Sequence, residues 1–265
     1  NIKIKSKIIS KKNKNFAQNK LVLNQILGKK ISLNYDGVSI DSRTIKKDNL
    51  FLAIKGKKFD GNKFIHNALK KKAGCVVSSS TNKKNNKKIL KVKDAIIFLN
   101  RLAKHKREIS SAKIIAVTGS AGKTSLKNLI KNLLKNFGKT YYSPKSFNNH
   151  FGVPISLSNL SYDDKFGVFE AGMSKAGEIK KLTSLIKPHI GVITNIGEAH
   201  IENFKNIYGI AKAKSEIIQS IIPGGIIILN RDDKFFDYLF KKAKVRGIKT
   251  TTFGAHKKSD IRLIK

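Results

Sequence analysis

The sequence predicts an α/β protein in two parts, a small N-terminal α/β unit followed by a P-loop domain built on a mostly parallel sheet. Three observations carry this. From Lys113 onward, short β-branched runs alternate with amphipathic helical stretches, the pattern of a parallel sheet covered on both faces. A glycine-rich turn between Gly119 and Gly122 joins one such run directly to one such helix. The 265 residues are 40% hydrophobic with 19 Gly and 4 Pro, enough apolar content to bury a core and to exclude a disordered chain.

The elements follow in order. Residues 21–27 read as a short apolar helix stopped by Gly28, which takes a left-handed C-terminal position at least cost. Strands are expected at 37–40 and 50–54, then a helix at 62–72 whose Phe64, Ile65, Ala68 and Leu69 share one face. A strand at 75–77, a polar loop at 82–88, an amphipathic helix at 94–108 and a linker at 109–112 complete the first part. Beyond it, strands are expected at 114–117, 140–142, 167–169, 191–194, 226–229, 249–253 and 261–264. Helices fall between them at 123–137, 178–185, 206–222 and 234–244. The expected domains are thus 1–108 and 109–265, the second incomplete, and Asn1 in place of Met suggests a missing or processed start.

Composition narrows the class. Cys75 is the one cysteine, so no internal disulfide asks for an oxidising compartment. Apolar runs stay well short of a membrane span, and lysines occupy the first twenty residues where a signal peptide needs its apolar stretch. A cytoplasmic protein with no membrane span is expected. The net charge of +38 invites a nucleic-acid partner, but of 55 basic residues 49 are Lys and 6 are Arg, and they are spread along the chain rather than clustered. Nucleic acid is therefore not the expected partner, and a basic NTP-binding protein that engages it stands as the alternative of a different class.

The sharpest local feature is IIAVTGSAGKTS, 114–125. Glycines let backbone N–H groups turn toward an anion, and the following helix adds the positive end of its dipole. Lys123 can reach β- and γ-phosphates, and Thr124 can ligate Mg²⁺. Val117 stands where the longer phosphate-loop motif has its first glycine. Glu170 closes the apolar run 167–169, where ligands of open parallel sheets bind; it reads either as a Mg²⁺ ligand or as a solvated strand end. His200, six residues past a strand end, reads either as a functional loop residue or as a surface or satisfied histidine, whereas Lys214 by itself is an ordinary solvated helix lysine. The loops holding Asp41-Ser42-Arg43-Thr44, Lys55-Gly56 and Asp60-Gly61-Asn62 read as an anion or nucleotide site, or as turn and cap chemistry.

TGSAGKTS resembles the short phosphate loop of the Mur ligases, which dispenses with the first glycine. SFNNHFGVP (146–154), FEAGMSKAGEI (169–179), TNIGEAHIENF (194–204), AKAKSEI (211–217) and LNRDD (229–233) are similar to further motifs of that family and follow in its order. VSIDSRTIKKDNLFLAIKGKKFDGNKFI (38–65) resembles its uridine-nucleotide domain. Asn148-Asn149 before Gly-Val-Pro, and the Glu-Ala-Gly-Met stretch, are similar to the MurF-type branch. The resemblance implies an ATP-dependent amide ligase that adds D-alanyl-D-alanine to UDP-N-acetylmuramoyl-tripeptide through an acyl phosphate, in peptidoglycan precursor synthesis, with ATP and Mg²⁺; a monomer is expected.

It also implies roles for single residues. Gly119, Ser120, Ala121, Gly122, Lys123, Thr124, Ser125 and Asn230 would contact the nucleotide, and Thr124, Glu170 and His200 would hold Mg²⁺. Lys214 falls on the lysine carbamylated in several family members, and with Lys123 and His200 would serve catalysis. Ser42, Arg43 and Asp60 would contact the uridine diphosphate, and Asn148 and Asn149 the substrate. The family carries a third, C-terminal domain, and the sequence ends before it. Its lysine content is unusual for the family but spares every motif quoted. Another Mur-type or a folylpolyglutamate-synthase-like ligase is the near alternative.

Overall fold

Straight-chain lysines are good helix formers and Asn19, Val22, Leu23 and Ile26 share a buried face, so the first helix is much longer than its apolar end suggests. In the computed structural model, which describes residues 2–56, 59–80 and 86–264 with side chains from residue 14 onward, helix α1 runs Ile2–Leu27 and Gly28 follows at φ +66. Two compact units are present, residues 1–109 with 157–162, and residues 110–156 with 163–265.

The first unit holds strands β1 Val38–Ser39, β2 Leu50–Ala53, β3 Cys75–Ser78 and β4 Ile89–Lys91, all parallel and in that spatial order. β2 and β3 are buried at every position, as their continuous apolar runs require in a covered parallel sheet. The expected helix at 62–72 is instead a 3₁₀ turn, Gly61–Phe64, and a short helix α2, Ile65–Lys70. Asp60 fixes the start of that turn by accepting Asn62 N–H. β4 follows too few apolar residues to be legible in sequence, and residues 82–85 of the expected polar loop lie outside the described residues. Helix α3, Ala95–Glu108, is capped by Asp94, which accepts from Ile96 and Ile97, and packs on α1 with the buried Lys106 ammonium on Asn19 Oδ1 at 2.9 Å.

The second unit is a seven-stranded parallel sheet. Its strands are β5 Lys113–Thr118, β6 Thr140–Tyr142, β7 Phe166–Glu170, β8 Ile190–Ile193, β9 Ile226–Asn230, β10 Lys249–Gly254 and β11 Ile261–Arg262, in spatial order 11-10-9-8-5-7-6. Its helices are α4 Lys123–Leu134, α5 Gly152–Ser158, whose last residues Leu157 and Ser158 group with the first unit, α6 Glu178–Ile186, α7 Ile207–Ser215 and α8 Phe236–Val245. The expected helix at 206–222 ends at Ser215 and continues as a 3₁₀ turn, Glu216–Ser220. α5 escapes a periodicity reading because Pro154, Ser156 and two β-branched residues crowd seven positions, yet proline is tolerated in a first turn.

Two topological facts place the site. The chain starts the sheet at β5, goes out to the edge strand β6, returns to β7 between the two, then crosses to β8 on the other side, so the crevice at the carboxyl ends lies between β5 and β8. Leu126, Ile130 and Leu134 of α4 pack on Ile115, Val117, Val168 and Val192, which seats the N-terminus of α4 at that crevice. Among the described residues no helix is long and apolar enough to cross a membrane.

Candidate active site

The loop between β5 and α4 needs its two glycines for different reasons. Gly119 has φ +149, and a Cβ there would sit 1.8 Å from Thr194 Oγ1. Gly122 has φ +78 as the residue preceding α4, with open space where a Cβ would go. Gly119→Ala is therefore expected to destabilise more than Gly122→Ala: the first adds overpacking of about 1–3 kcal/mol to backbone strain, the second only the strain of about 1–2 kcal/mol. Urea unfolding of both variants checks the order, and equal midpoints would contradict the close approach to Thr194.

The residues after β8 hold this loop from below. Thr194 Oγ1 donates to Ala121 O at 2.6 Å, and Asn195 Oδ1 accepts from Ser120 N (3.1 Å) and Ala121 N (2.9 Å). Ser120 Oγ donates to Gly197 O and accepts from Gly197 N. The Ser120 and Ala121 amides are turned to Asn195, whereas the first amides of α4 have no intrahelical acceptor and lie at the positive end of that helix. Lys123 Nζ lies back over the loop, donating to Gly119 O at 2.7 Å and Ser120 O at 3.3 Å. Burial pushes its pKa down, and the charge of Glu170 partly offsets that.

Glu170 ends β7 and is 1% exposed. Thr124 Oγ1 donates to its Oε2 at 2.8 Å, Asn148 Nδ2 donates to its Oε1 at 2.7 Å, and Lys127 Nζ lies 3.5 Å from Oε2. Lys127, itself 1% exposed, also donates to Lys145 O. A pocket of about 340 Å³ is walled by Ser120 to Ser125, Ser146, Asn148 and Glu170. A larger cavity of about 580 Å³ is lined by Lys123, Asn148, Asn149, Glu178, His200 and Lys214 among others; Lys123 and Asn148 line both.

Lys214, on α7, is 2% exposed rather than solvated. Burial, with a smaller contribution from Lys123, brings its pKa down to about 7. His200 sits at φ +65 with a half-exposed ring, its Nδ1 3.8 Å from Glu202 Oε1. Asn149 caps α5 by accepting from Phe151 N and Gly152 N. Asn230, at the end of β9, accepts from Asp232 N and lines neither pocket.

In the first unit, Ser42 is buried, and the exposed Arg43 clamps Asp41 with Nε–Oδ1 2.9 Å and Nη2–Oδ2 2.8 Å. That guanidinium holds the Asp41 carboxyl below its ordinary range, as the Asn62 N–H groups do for Asp60. Asn62 also accepts from Ser78 Oγ at 2.6 Å, so the loops after β2 and β3 are tied together at the carboxyl edge of that sheet.

The donor chemistry suits a nucleotide-borne magnesium ion. Thr124 hydroxyl and Glu170 carboxylate are adjacent hard oxygens beside the phosphate loop, and magnesium takes one or two carboxylates with phosphate and water for the rest. Among the described residues, no three His, Cys, Asp or Glu side chains gather as an all-protein metal site. Two residues at the centre, Lys127 and Asn195, were not singled out from sequence. Lys127 lies on the α4 stripe that also bears Ile130 and Leu134, so a lysine at an inward position of an amphipathic helix was the available signal.

Comparison with known proteins gives a consistent result. Residues 117–264 match the Mur ligase middle domain and residues 34–114 the Mur ligase family catalytic domain. The chain is 37% identical over 235 residues to the UDP-N-acetylmuramoyl-tripeptide–D-alanyl-D-alanine ligase of Rickettsia prowazekii, covering 88% of this chain and 52% of that protein. It is 39% identical over 211 residues to the ligase of the same name from Buchnera aphidicola, covering 80% and 46%. Among solved structures, MurF from Acinetobacter baumannii superposes with a TM-score of 0.77 at 29% identity, covering 91% of this chain and 53% of that one. MurF ligase from Thermotoga maritima in complex with ADP gives 0.70 at 31% identity, covering 83% and 50%. The chain spans about half the length of the relatives it matches.

Proposed function

The chain belongs to the Mur ligase family, and from that premise we propose that it holds the nucleotide and the UDP-sugar peptide for an ATP-dependent ligase joining D-alanyl-D-alanine to UDP-N-acetylmuramoyl-tripeptide. The observation that carries this reading is the convergence of the phosphate loop, Glu170 and the buried Lys214 on two pockets that share Lys123 and Asn148. In this reading residues 1–108 hold the UDP-substrate through Ser42, Arg43 and Asp60, and residues 109–265 hold ATP. The protein works as a monomer in the cytoplasm, where such nucleotide precursors are made.

In the reaction, an oxygen of the peptide's terminal carboxylate bonds to the γ-phosphorus as the bond to the β,γ-bridging oxygen breaks and ADP leaves. The amine of D-alanyl-D-alanine then attacks the acyl carbon, loses a proton, and phosphate departs with its oxygen. Lys123 and the first α4 amides hold the β- and γ-phosphates where charge shifts during transfer. Thr124 and Glu170, with His200 across the larger cavity, would hold Mg²⁺, which supplies charge neutralisation between the phosphates. Gly119, Ser120, Ala121, Gly122 and Ser125 shape the nucleotide pocket, Asn230 contacts the nucleotide, and Asn148 and Asn149 face the substrate. Lys214 serves as its carbamate, an anion that positions the cation or the γ-phosphate.

Thermal protection tests this reading. Separate additions of MgADP and of UDP-N-acetylmuramoyl-tripeptide are expected to raise the melting temperature, since a ligand at 100 times its dissociation constant adds about 2.7 kcal/mol. RNA at matched phosphate concentration is expected to do nothing. Protection by RNA alone would favour the basic NTP-binding alternative.

A further inference from the structure

We propose that Lys127 prevents Glu170 from holding a divalent cation by itself, so that the cation enters the site only in company with a polyphosphate. This deepens the nucleotide-site reading above and rests on it. Glu170 is buried, and its partners among the described residues, Thr124 hydroxyl, Asn148 amide and Lys127 ammonium, are all donors. Among the described residues no second carboxylate lines this pocket, whereas Lys123, which feels the charge of Glu170, stands on its wall and Lys127 Nζ lies 3.5 Å from Glu170 Oε2. Two ammonium groups thus face one carboxylate.

The position of Lys127 is held from two sides. Its Nζ reaches across from α4 to Lys145 O, in a turn where Lys145 adopts φ +47, a left-handed backbone that lysine takes only at some cost. The same turn leads to Asn148, which donates to the other oxygen of Glu170. Both carboxylate oxygens are therefore engaged and the local charge is positive, which disfavours a bare cation. A polyphosphate reverses that balance: its several negative charges engage Lys123 and the α4 amides, and its oxygens complete the coordination that one carboxylate and one hydroxyl leave open.

Removing the ammonium should expose a latent cation site. An opposite charge within about 4–6 Å changes what a carboxylate binds by roughly tenfold or more, and a divalent ion feels the neighbouring ammonium more strongly than a proton does. The test uses Mn²⁺ as the probe, with free ion followed by electron paramagnetic resonance and the fold followed by melting. Nucleotide-free wild type is expected to leave Mn²⁺ in solution and to bind it once ADP is added. Nucleotide-free Lys127→Met is expected to bind Mn²⁺ about tenfold more tightly than wild type or better, and to melt at a higher temperature with Mn²⁺ than without. Lys127→Arg, which keeps the charge, is expected to behave as wild type, and Lys127→Gln replaces the methionine variant if that fails to fold. Wild type that binds Mn²⁺ without nucleotide, with loss in Glu170→Gln, would overturn the proposal without any Lys127 variant. Intact Mn²⁺–ADP binding beside an unchanged Mn²⁺ affinity in the variants would overturn it too, whereas no Mn²⁺–ADP binding by wild type would strike the nucleotide-site reading itself.

Discussion

Lys123→Ala loses nucleotide binding: the dissociation constant for MgADP rises by roughly 30-fold or more in calorimetry. The ammonium is half-buried and lines both pockets, held over the loop by Gly119 O and Ser120 O, so it needs only to exchange two carbonyls for phosphate oxygens. No neighbour can stand in for it. Lys127 is committed to Lys145 O and Glu170, and Lys214 lies at the wall of the larger cavity alone. Truncating one partner of a buried, hydrogen-bonded charge pair costs about 2–5 kcal/mol, which corresponds to roughly 30-fold to several thousand-fold in affinity. Unchanged affinity in a variant that still melts cooperatively would remove the phosphate-loop assignment.

Lys214→Ala is the second large effect, and it has a pH signature. With its pKa brought down to about 7, the amine is mostly neutral at pH 8, and a neutral amine can attack CO₂ through its lone pair, losing a proton to give the carbamate. With ¹³C-bicarbonate, wild type is expected to show a carbamate resonance at pH 8 that disappears below pH 6 and is absent from the variant. In a full-length version of the ligase, turnover is expected to fall by two orders of magnitude or more with Lys214→Ala, with partial recovery on addition of a short-chain carboxylate. Lys212→Ala, exposed on the same helix, is expected to be mild. Equal losses for both lysines, without rescue, would leave Lys214 a structural residue. Stability carries the same sign: between pH about 7 and 10.5 the unfolded chain binds a proton at Lys214 that the folded protein does not. Stability from this residue therefore rises with pH across that window and is flat below it, and the slope should vanish in Lys214→Met.

What could be read from sequence was what the chain writes locally. The phosphate loop occupies consecutive residues between a buried strand and a helix, so Gly119, Gly122, Lys123 and Thr124 were legible together. Glu170 was legible as a position, the end of a buried strand, but its partners Thr124, Lys127 and Asn148 come from two other elements. The burial of Lys214 was invisible, since among 49 lysines nothing local marks the one that faces a cavity. Asn195 was invisible for a related reason: its bonds to the loop span 74 and 75 residues and depend on β8 lying beside β5. The polar N-terminal turns of α1 and the proline in α5 hid those helices from a search for apolar periodicity.

Residues 157–162, which group with the first unit, bear on how this protein can be dissected. Asn159 offers β1 a side-chain amide in place of a neighbouring strand, accepting Val38 N–H at 2.8 Å and donating to Val38 O at 3.0 Å, while Ser161 Oγ reaches Asn15 at 2.8 Å. The polypeptide therefore passes between the units three times, at 109, 156 and 162, and no single cut releases the first unit whole. An excised 1–109 fragment would leave the outer edge of β1 bare, a template for pairing with another copy. A gene fragment in which 157–162 is grafted back through a short linker is the minimal module, and one ending at 109 should be the stickier of the two in solution.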